Sequence, residues 1–158
     1  MSNPATPLLP SRVQFSDQAL TWREAVALAA QPLIADGAIE PGYVEAIIAT
    51  AEEMGPYFDF GRGVAMPHAR GEGLVHSPAL SFLRTRTPVL LLDDPAHPIE
   101  VFLLLATPDN TSHLSMLRTL AGVLTDPGQV EAMKAATTPD DVVAILGGNQ
   151  NNHRQHNH

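Results

Sequence analysis

Apolar side chains recur along this chain with two periods, one helical and one typical of strands. Thr21 and Glu24 form a capping-box pattern that predicts the start of a helix. The apolar positions after it stay on one helical face until about Ala35: Trp22, Val26, Ala29 and Leu33. A second such face begins at Pro41 and stops before a Gly-Pro pair at 55–56: Val44, Ile47, Ile48 and Ala51. Both stretches are therefore predicted to be amphipathic helices with their apolar faces in the core.

Apolar runs that lack helical spacing predict the strands. Residues 79–83 and 89–92 are candidate strands, separated by a polar segment at 84–88. Residues 101–106 read Val-Phe-Leu-Leu-Leu-Ala with no polar alternation, which is typical of a central strand covered on both faces. We therefore predict an α/β fold, a three-layer sandwich in which a mixed central β-sheet carries helices on both faces.

The C-terminal part of the domain is predicted to be helical. Turn and N-cap residues at 107–112 precede a long helix, so His113 falls in its first turn. The apolar face of that helix is expected to be Leu114, Leu117, Ala121 and Leu124. Two short helices should follow the Asp126-Pro127 and Thr138-Pro139 pairs, the second ending at Gly147.

Length and composition favour one domain, which we place at residues 12–147. The chain has 158 residues, enough to bury an apolar core without metals or disulfides. Residues 1–11 are expected to be a flexible N-terminus. Residues 148–158 form a polar, aperiodic tail that we expect to be disordered, and its three histidines are better explained as solvated side chains than as metal ligands.

Charge and residue usage exclude several classes of protein. The formal net charge of -8 argues against nucleic-acid binding, which needs clustered Lys and Arg, and makes a basic protein partner more natural. The absence of cysteine excludes thiolate metal sites, disulfides and a cysteine nucleophile. Neither a signal peptide nor a membrane span is apparent, so we expect a soluble, unexported protein of the cytoplasm.

The most suggestive chemistry lies at residues 61–70, where Pro67 and His68 end a short apolar run. Because a residue before proline is pushed to an extended conformation, Met66 should lie in a strand end that delivers His68 to an edge or turn. A neutral imidazole is a good nucleophile, and an unperturbed pKa of roughly 6.5 keeps most histidines neutral at pH 7. His68 is thus a candidate phosphoryl acceptor, although an ordinary loop histidine fits the pattern equally well.

His113 is the second candidate because it lies at a helix N-terminus, where backbone N–H groups and the helix dipole favour anions. Ligand sites in α/β sheets gather at the carboxyl ends of strands, so both histidines could share one edge. With a nearby arginine and the hydroxyls of Thr111 or Ser112, they would form a phosphoryl-transfer pocket. Two other histidines, at 76 and 97, are expected to be exposed and without a role.

The chain lacks the usual means of holding a nucleotide. It has no Walker loop and no evident carboxylate cluster for magnesium. The phosphoryl donor is therefore expected to be a phosphorylated protein and not ATP.

The run Gly-Val-Ala-Met-Pro-His-Ala at 63–69 resembles the signature around the phosphorylated histidine of enzyme IIA domains of the bacterial phosphotransferase system, mannitol/fructose class. The Met-Gly-Pro-Tyr-Phe run at 54–58, Arg70 and the segment 109–114 are similar to the ascorbate-type branch. The resemblance covers about residues 12–147, nearly all of the predicted domain.

This resemblance implies a phosphoryl relay without metal or cofactor. His68 would accept a phosphoryl group from the carrier protein HPr and pass it to an enzyme IIB, whose membrane partner, enzyme IIC, couples it to uptake of a carbohydrate such as ascorbate. His113 matches the second site histidine of the family. Mannitol-type members carry an arginine near the position of Glu52, so Arg62 and Arg70 become the candidates for that charge here.

Two alternatives stay open. The same phosphohistidine could serve a regulatory module of the nitrogen phosphotransferase type. A histidine-dependent metal hydrolase could instead use His68, His113 and a carboxylate such as Asp109. The sequence reveals neither the transported sugar nor the oligomeric state, and a homodimer is compatible with it.

Overall fold

One mixed sheet forms the centre of the protein. The computed structural model describes residues 8–70 and 73–146, and in these ranges the sheet has five strands in the order β1-β4-β5-β3-β2. The strands are β1 (Val13–Ser16), β2 (Asp59–Gly61), β3 (Val64–Ala65), β4 (Ala79–Leu90) and β5 (Pro98–Ala106). β5 runs antiparallel to β4 and parallel to β3. The predicted mixed sheet, with the apolar run 101–106 in its central strand, is confirmed.

Five helices lie in the described part of the chain: α1 (Trp22–Ala35), α2 (Gly42–Met54), α3 (Asn110–Leu124), α4 (Pro127–Ala135) and α5 (139–146). Their starts follow the predicted caps. Thr21 and Glu24 form the capping box of α1, and the side chains of Asp109 and Asp126 accept backbone N–H groups at the starts of α3 and α4. The predicted end of the last helix at Gly147 lies outside the described residues.

The helices cover both faces of the sheet. Alternate residues of a strand point to opposite faces, and from Val101 to Ala106 of β5 both sets are fully buried. Phe102 and Leu104 pack with α1 and α2, whereas Leu103 and Leu105 pack with the helices of the C-terminal part. This double coverage explains the uninterrupted apolar run and confirms the three-layer sandwich.

The two strands predicted at 79–83 and 89–92 are one strand, β4, so the predicted break between them is wrong. The first two residues of the polar segment, Arg84 and Thr85, pair with Phe15 and Ser16 of β1, and the segment stays extended. The irregularity appears instead as a shift in the register with β5 between Arg84 and Val89. Residues 91 and 92 leave the strand for a short 3-10 helix.

The predicted buried face of α3 is also wrong in part. Leu114 is 56% exposed and Ala121 is exposed, while the residues that pack on the sheet are Met116, Leu120, Val123 and Leu124. Both sets recur at helical spacing, so the sequence alone does not decide between them. Contact with β5 selects the second set and leaves Leu114 at the surface beside His113.

The chain ends are described only in part. Residues 1–7 and 147–158 lie outside the described ranges, which includes the predicted disordered tail. Within the predicted flexible N-terminus, Leu8 is buried and Pro10–Arg12 form a 3-10 helix. Arg12 donates to the carboxylate of Asp36 at 2.9 Å. In the described ranges, every helix is too short or too polar to cross a bilayer.

Candidate active site

His68 lies at the carboxyl end of β3, where the predicted strand end is confirmed. The backbone of Met66 donates to the carbonyl of Phe58, and the N–H of Leu105 donates to the carbonyl of Pro67 at 3.0 Å. The pairing of β3 with β5 thus continues past Ala65 and brings His68 level with the end of the central strand. This is the sheet edge at which α/β proteins usually bind ligands.

The ring of His68 has a fixed hydrogen-bond partner. Its Nδ1 lies 2.7 Å from the carbonyl oxygen of Met66. Since a carbonyl can only accept, Nδ1 must carry the proton and a neutral His68 keeps its lone pair on Nε2. The half-buried ring therefore offers Nε2 as its nucleophilic atom.

Two tyrosines hold the peptide group between His68 and Ala69. The fully buried hydroxyl of Tyr43, at the start of α2, donates to the carbonyl of Leu105 at 2.8 Å and accepts the N–H of Ala69 at 3.1 Å. Burial raises the pKa of Tyr43 to about 12, so the hydroxyl keeps its proton at neutral pH. The loop after His68 is thereby tied to the end of β5.

Tyr57 acts on His68 directly. Its hydroxyl donates to the His68 carbonyl, and its ring meets the His68 ring edge-on with centroids 5.2 Å apart. Burial, with a smaller effect of Tyr43, raises the pKa of Tyr57 as well. Sequence reasoning missed both tyrosines as site residues, although Tyr57 lies within the Met-Gly-Pro-Tyr-Phe run that carries the family resemblance.

The structure brings His113 to His68, as predicted from their places at strand and helix ends. The two rings are 5.3 Å apart between centroids and tilted by 42°. His113 lies in the first turn of α3, and its Nδ1 is 3.5 Å from the hydroxyl of Thr107. Burial lowers the pKa of His113, and the nearby His68 lowers it further, so the neutral form is favoured.

The N-terminus of α3 is already partly occupied by a carboxylate. Asp109 Oδ1 accepts the N–H of Ser112 at 2.7 Å, and the Asp109 carbonyl accepts the N–H of His113 at 3.1 Å. These hydrogen bonds from Ser112 lower the pKa of Asp109. Thr111 is exposed and Ser112 half-buried at the same helix end. An anion at this helix end must therefore share the N–H groups with Asp109.

The same cap bears on the hydrolase alternative. Asp109, its suggested metal ligand, is engaged in capping α3. Across residues 8–70 and 73–146, no cluster of three or more His, Asp or Glu side chains is arranged to hold a metal ion.

Arg62 lies at the opposite end of β3 from His68, so the backbone geometry gives no support to its suggested role at the site. It lies in the turn before β3, where the next residue, Gly63, accepts the N–H of Glu100 at the start of β5. Lys134 donates to the Arg62 carbonyl at 3.0 Å. Since β3 and β5 are parallel, Gly63 and His68 lie at opposite ends of the pairing, about 16 Å apart along an extended chain.

The other charged candidates are placed differently. Arg70 is exposed two residues after His68, which keeps it near the site. Glu52, near the position of the arginine in mannitol-type members, forms a half-exposed ion pair with Arg23 of α1. Positive charge near that position therefore comes from α1, where it is paired.

The two histidines expected to be free and exposed have carboxylate partners. His76 is exposed but pairs with Glu40. His97 is only partly exposed, and its Nδ1 lies 2.7 Å from Asp59. Both pairs join loops to neighbouring elements, and neither involves His68 or His113.

Comparison with known proteins identifies relatives of this chain. A family model described as "Phosphoenolpyruvate-dependent sugar phosphotransferase system, EIIA 2" matches residues 7–148. SgcA of Escherichia coli (strain K12), named as a phosphotransferase IIA component, is 32% identical over 136 residues, which are 86% of this chain and 95% of SgcA. The ascorbate-specific PTS system EIIA component of the same strain is 27% identical over 135 residues, 85% of this chain and 88% of that protein.

The fold is also that of a solved complex. The structure of enzyme IIAMTL with phosphorylated enzyme IIBMTL from Escherichia coli matches with a TM-score of 0.79 at 23% identity, over 90% of this chain and 99% of that one. The likeness at this identity concerns the fold. The family model and the relatives show that the chain belongs to the EIIA type 2 family of the sugar phosphotransferase system. Members of this family are phosphotransferases that pass phosphoryl groups through a histidine to an enzyme IIB.

Proposed function

We propose that this protein carries a phosphoryl group on Nε2 of His68, receiving it from phosphorylated HPr and delivering it to an enzyme IIB of a sugar transport system. The observation that carries the proposal is the hydrogen bond from His68 Nδ1 to the Met66 carbonyl, which leaves Nε2 as the free nucleophile beside His113. In this family a histidine carries the phosphoryl group, so we assign that role to Nε2 of His68.

The transfer step needs no other covalent group. The lone pair of His68 Nε2 forms the new N–P bond while the N–P bond of the donor phosphohistidine breaks, and its electron pair returns to the donor ring. The proton on His68 Nδ1 stays in place, so the phosphorylated ring gains positive charge. The Met66 carbonyl at 2.7 Å then accepts a charge-assisted hydrogen bond, which stabilises that ring.

His113 and α3 would stabilise the phosphoryl oxygens. Phosphoryl transfer through a loose transition state depends mainly on in-line positioning and on stabilising the equatorial oxygens. His113 is close enough to the His68 ring for that task, and Arg70, Thr111 and Ser112 lie at the same edge. Transfer to enzyme IIB repeats the step with His68 as the leaving group.

We propose an ascorbate-type system as the transport context. The support is the similarity to the ascorbate-specific component and the resemblance of segment 54–58 to that branch. A membrane enzyme IIC would then take up the sugar, with this protein acting in the cytoplasm.

The test is incubation of the protein with phosphorylated HPr carrying a labelled phosphoryl group. We expect a label that is acid-labile and alkali-stable, absent from His68→Ala and kept by the matched control His76→Ala. Adding the cognate enzyme IIB should discharge the label. No label on the unmodified protein would contradict the proposal, and a label that enzyme IIB cannot discharge would favour the regulatory alternative.

A further inference from the structure

Thr107 is a buried polar residue at the end of the central strand. It follows β5 directly and is 8% exposed. Its hydroxyl lies 3.5 Å from Nδ1 of His113, a contact that spans the turn into α3. Burying a hydroxyl without a partner costs free energy, so its proton needs an acceptor.

The direction of that hydrogen bond decides the form of His113. A neutral imidazole has one N–H and one lone pair, so Nδ1 either donates to Thr107 or accepts from it. If Nδ1 donated, the hydroxyl proton would need a second acceptor, and in the described ranges His113 is the only hydrogen-bond partner found for this hydroxyl. Donation from Thr107 to Nδ1 satisfies both groups and places the His113 proton on Nε2.

We propose that Thr107 is a positioning residue that holds His113 as its Nε2–H tautomer, so that His113 donates a hydrogen bond to the phosphoryl group on His68. The inference rests on the proposed function of His68. The two rings then have complementary states. The Met66 carbonyl makes Nε2 of His68 an acceptor, and the Thr107 hydroxyl makes Nε2 of His113 a donor.

This pairing gives the site one nucleophile and one donor at neutral pH. Two rings with the same tautomer would present either two lone pairs or two N–H groups to the phosphoryl site. A lone pair on His113 would repel the phosphoryl oxygens. Removing the Thr107 hydroxyl should therefore weaken the phosphorylated state and leave the nucleophile untouched.

Three variants separate this role from packing. Thr107→Val removes the hydroxyl at nearly constant volume, and Thr107→Ser keeps it. Thr85→Val is the matched control, because Thr85 is 2% exposed and its buried hydroxyl has no partner in the described structure. Ring nitrogen NMR on the unphosphorylated proteins at pH 8 reports the tautomer of His113, and phosphoryl transfer from HPr reports the function.

We expect the Nε2–H form of His113 in the unmodified protein, Thr107→Ser and Thr85→Val, and a larger share of the Nδ1–H form in Thr107→Val. Transfer to His68 should slow roughly three- to tenfold in Thr107→Val alone, the effect of losing one hydrogen bond.

An Nδ1–H tautomer in the unmodified protein would overturn the inference, as would unchanged transfer in Thr107→Val or equal slowing in Thr107→Ser. If the unmodified protein accepted no phosphoryl group at all, the proposed function would fail instead, and the NMR readout would still decide the tautomer. That readout on the unmodified protein also decides the matter should Thr107→Val fail to fold.

Discussion

The Nδ1 of His68 lies 2.7 Å from the carbonyl oxygen of Met66, two residues earlier in the same chain. The bond is local, yet it holds its geometry only because the surrounding backbone is pinned. Pro67 is tied to β5, and tyrosine hydroxyls reach the carbonyl of His68 and the N–H of Ala69. A rigid backbone thus fixes which ring nitrogen is free.

Tyr57→Phe should slow phosphoryl transfer with little change in the core. The variant keeps the aromatic ring against His68 and removes the hydroxyl that donates to the His68 carbonyl. One such hydrogen bond contributes about 1 kcal/mol. We expect transfer from HPr to slow by about fivefold and urea unfolding to show a loss of about 1 kcal/mol.

A suitable control for that variant is Tyr57→Leu, which removes the ring contact as well as the hydroxyl. It should slow transfer more than Tyr57→Phe does. Full activity of Tyr57→Phe would contradict a role of the hydroxyl in holding His68.

Tyr43→Phe should reduce stability more than Tyr57→Phe. The Tyr43 hydroxyl is fully buried and serves both the carbonyl of Leu105 and the N–H of Ala69. Its loss leaves the buried carbonyl of Leu105 and the partly buried N–H of Ala69 without this partner, so we expect the free energy of unfolding to fall by about 2 kcal/mol. Urea denaturation measures it, and an equal or smaller loss than in Tyr57→Phe would show that water replaces the hydroxyl.

His113 should titrate below the ordinary histidine range, because burial and His68 lower its pKa. Between that lowered pKa and the unfolded value of roughly 6.5, the unfolded chain binds more protons, so stability falls as the pH falls through this window. The loss of unfolding free energy from pH 8 to pH 5.5 should be smaller in His113→Gln than in the unmodified protein.

Phosphorylation of His68 should raise the lowered pKa of His113. A phosphoryl group on His68 places negative charge beside His113 and favours its protonated form. NMR titration should therefore give a higher pKa for His113 in the phosphorylated protein than in the unphosphorylated protein. A lower pKa for His113 after phosphorylation would contradict the proposed contact.

Arg62→Gln and Arg70→Gln form a matched pair that tests the geometry of the edge. Arg62 lies beside the start of β5 and Arg70 two residues after His68. We expect Arg62→Gln to transfer at the unmodified rate and Arg70→Gln to be slower severalfold. If only Arg62→Gln slowed phosphoryl transfer, the site would lie at the start of β3 and not at its carboxyl end.

The sequence predicted the elements that obey local rules. Capping residues located α1, α3 and α4, and the unbroken apolar run located the central strand. The tendency of ligand sites to gather at the carboxyl ends of strands also predicts that His68 and His113 share one edge of the sheet. These features depend on residues close in sequence or on a general property of sheets.

The features that sequence reasoning missed depend on distant contacts. Tyr43 reaches Leu105 across 62 residues of chain, and nothing near Tyr43 in sequence predicts that partner. β4 continues into its polar segment where β1 pairs with Arg84 and Thr85. Arg62 and Arg70 both flank His68 in the sequence, and the direction of β3 separates them.

The most direct test of the account is NMR spectroscopy of the protein after phosphorylation by HPr, with phosphorus and ring nitrogen shifts assigned for His68. The account predicts one phosphoryl group, bonded to Nε2 of His68, with Nδ1 still protonated and hydrogen-bonded to the Met66 carbonyl. A phosphoryl group on Nδ1 of His68, or on any other residue, would contradict it.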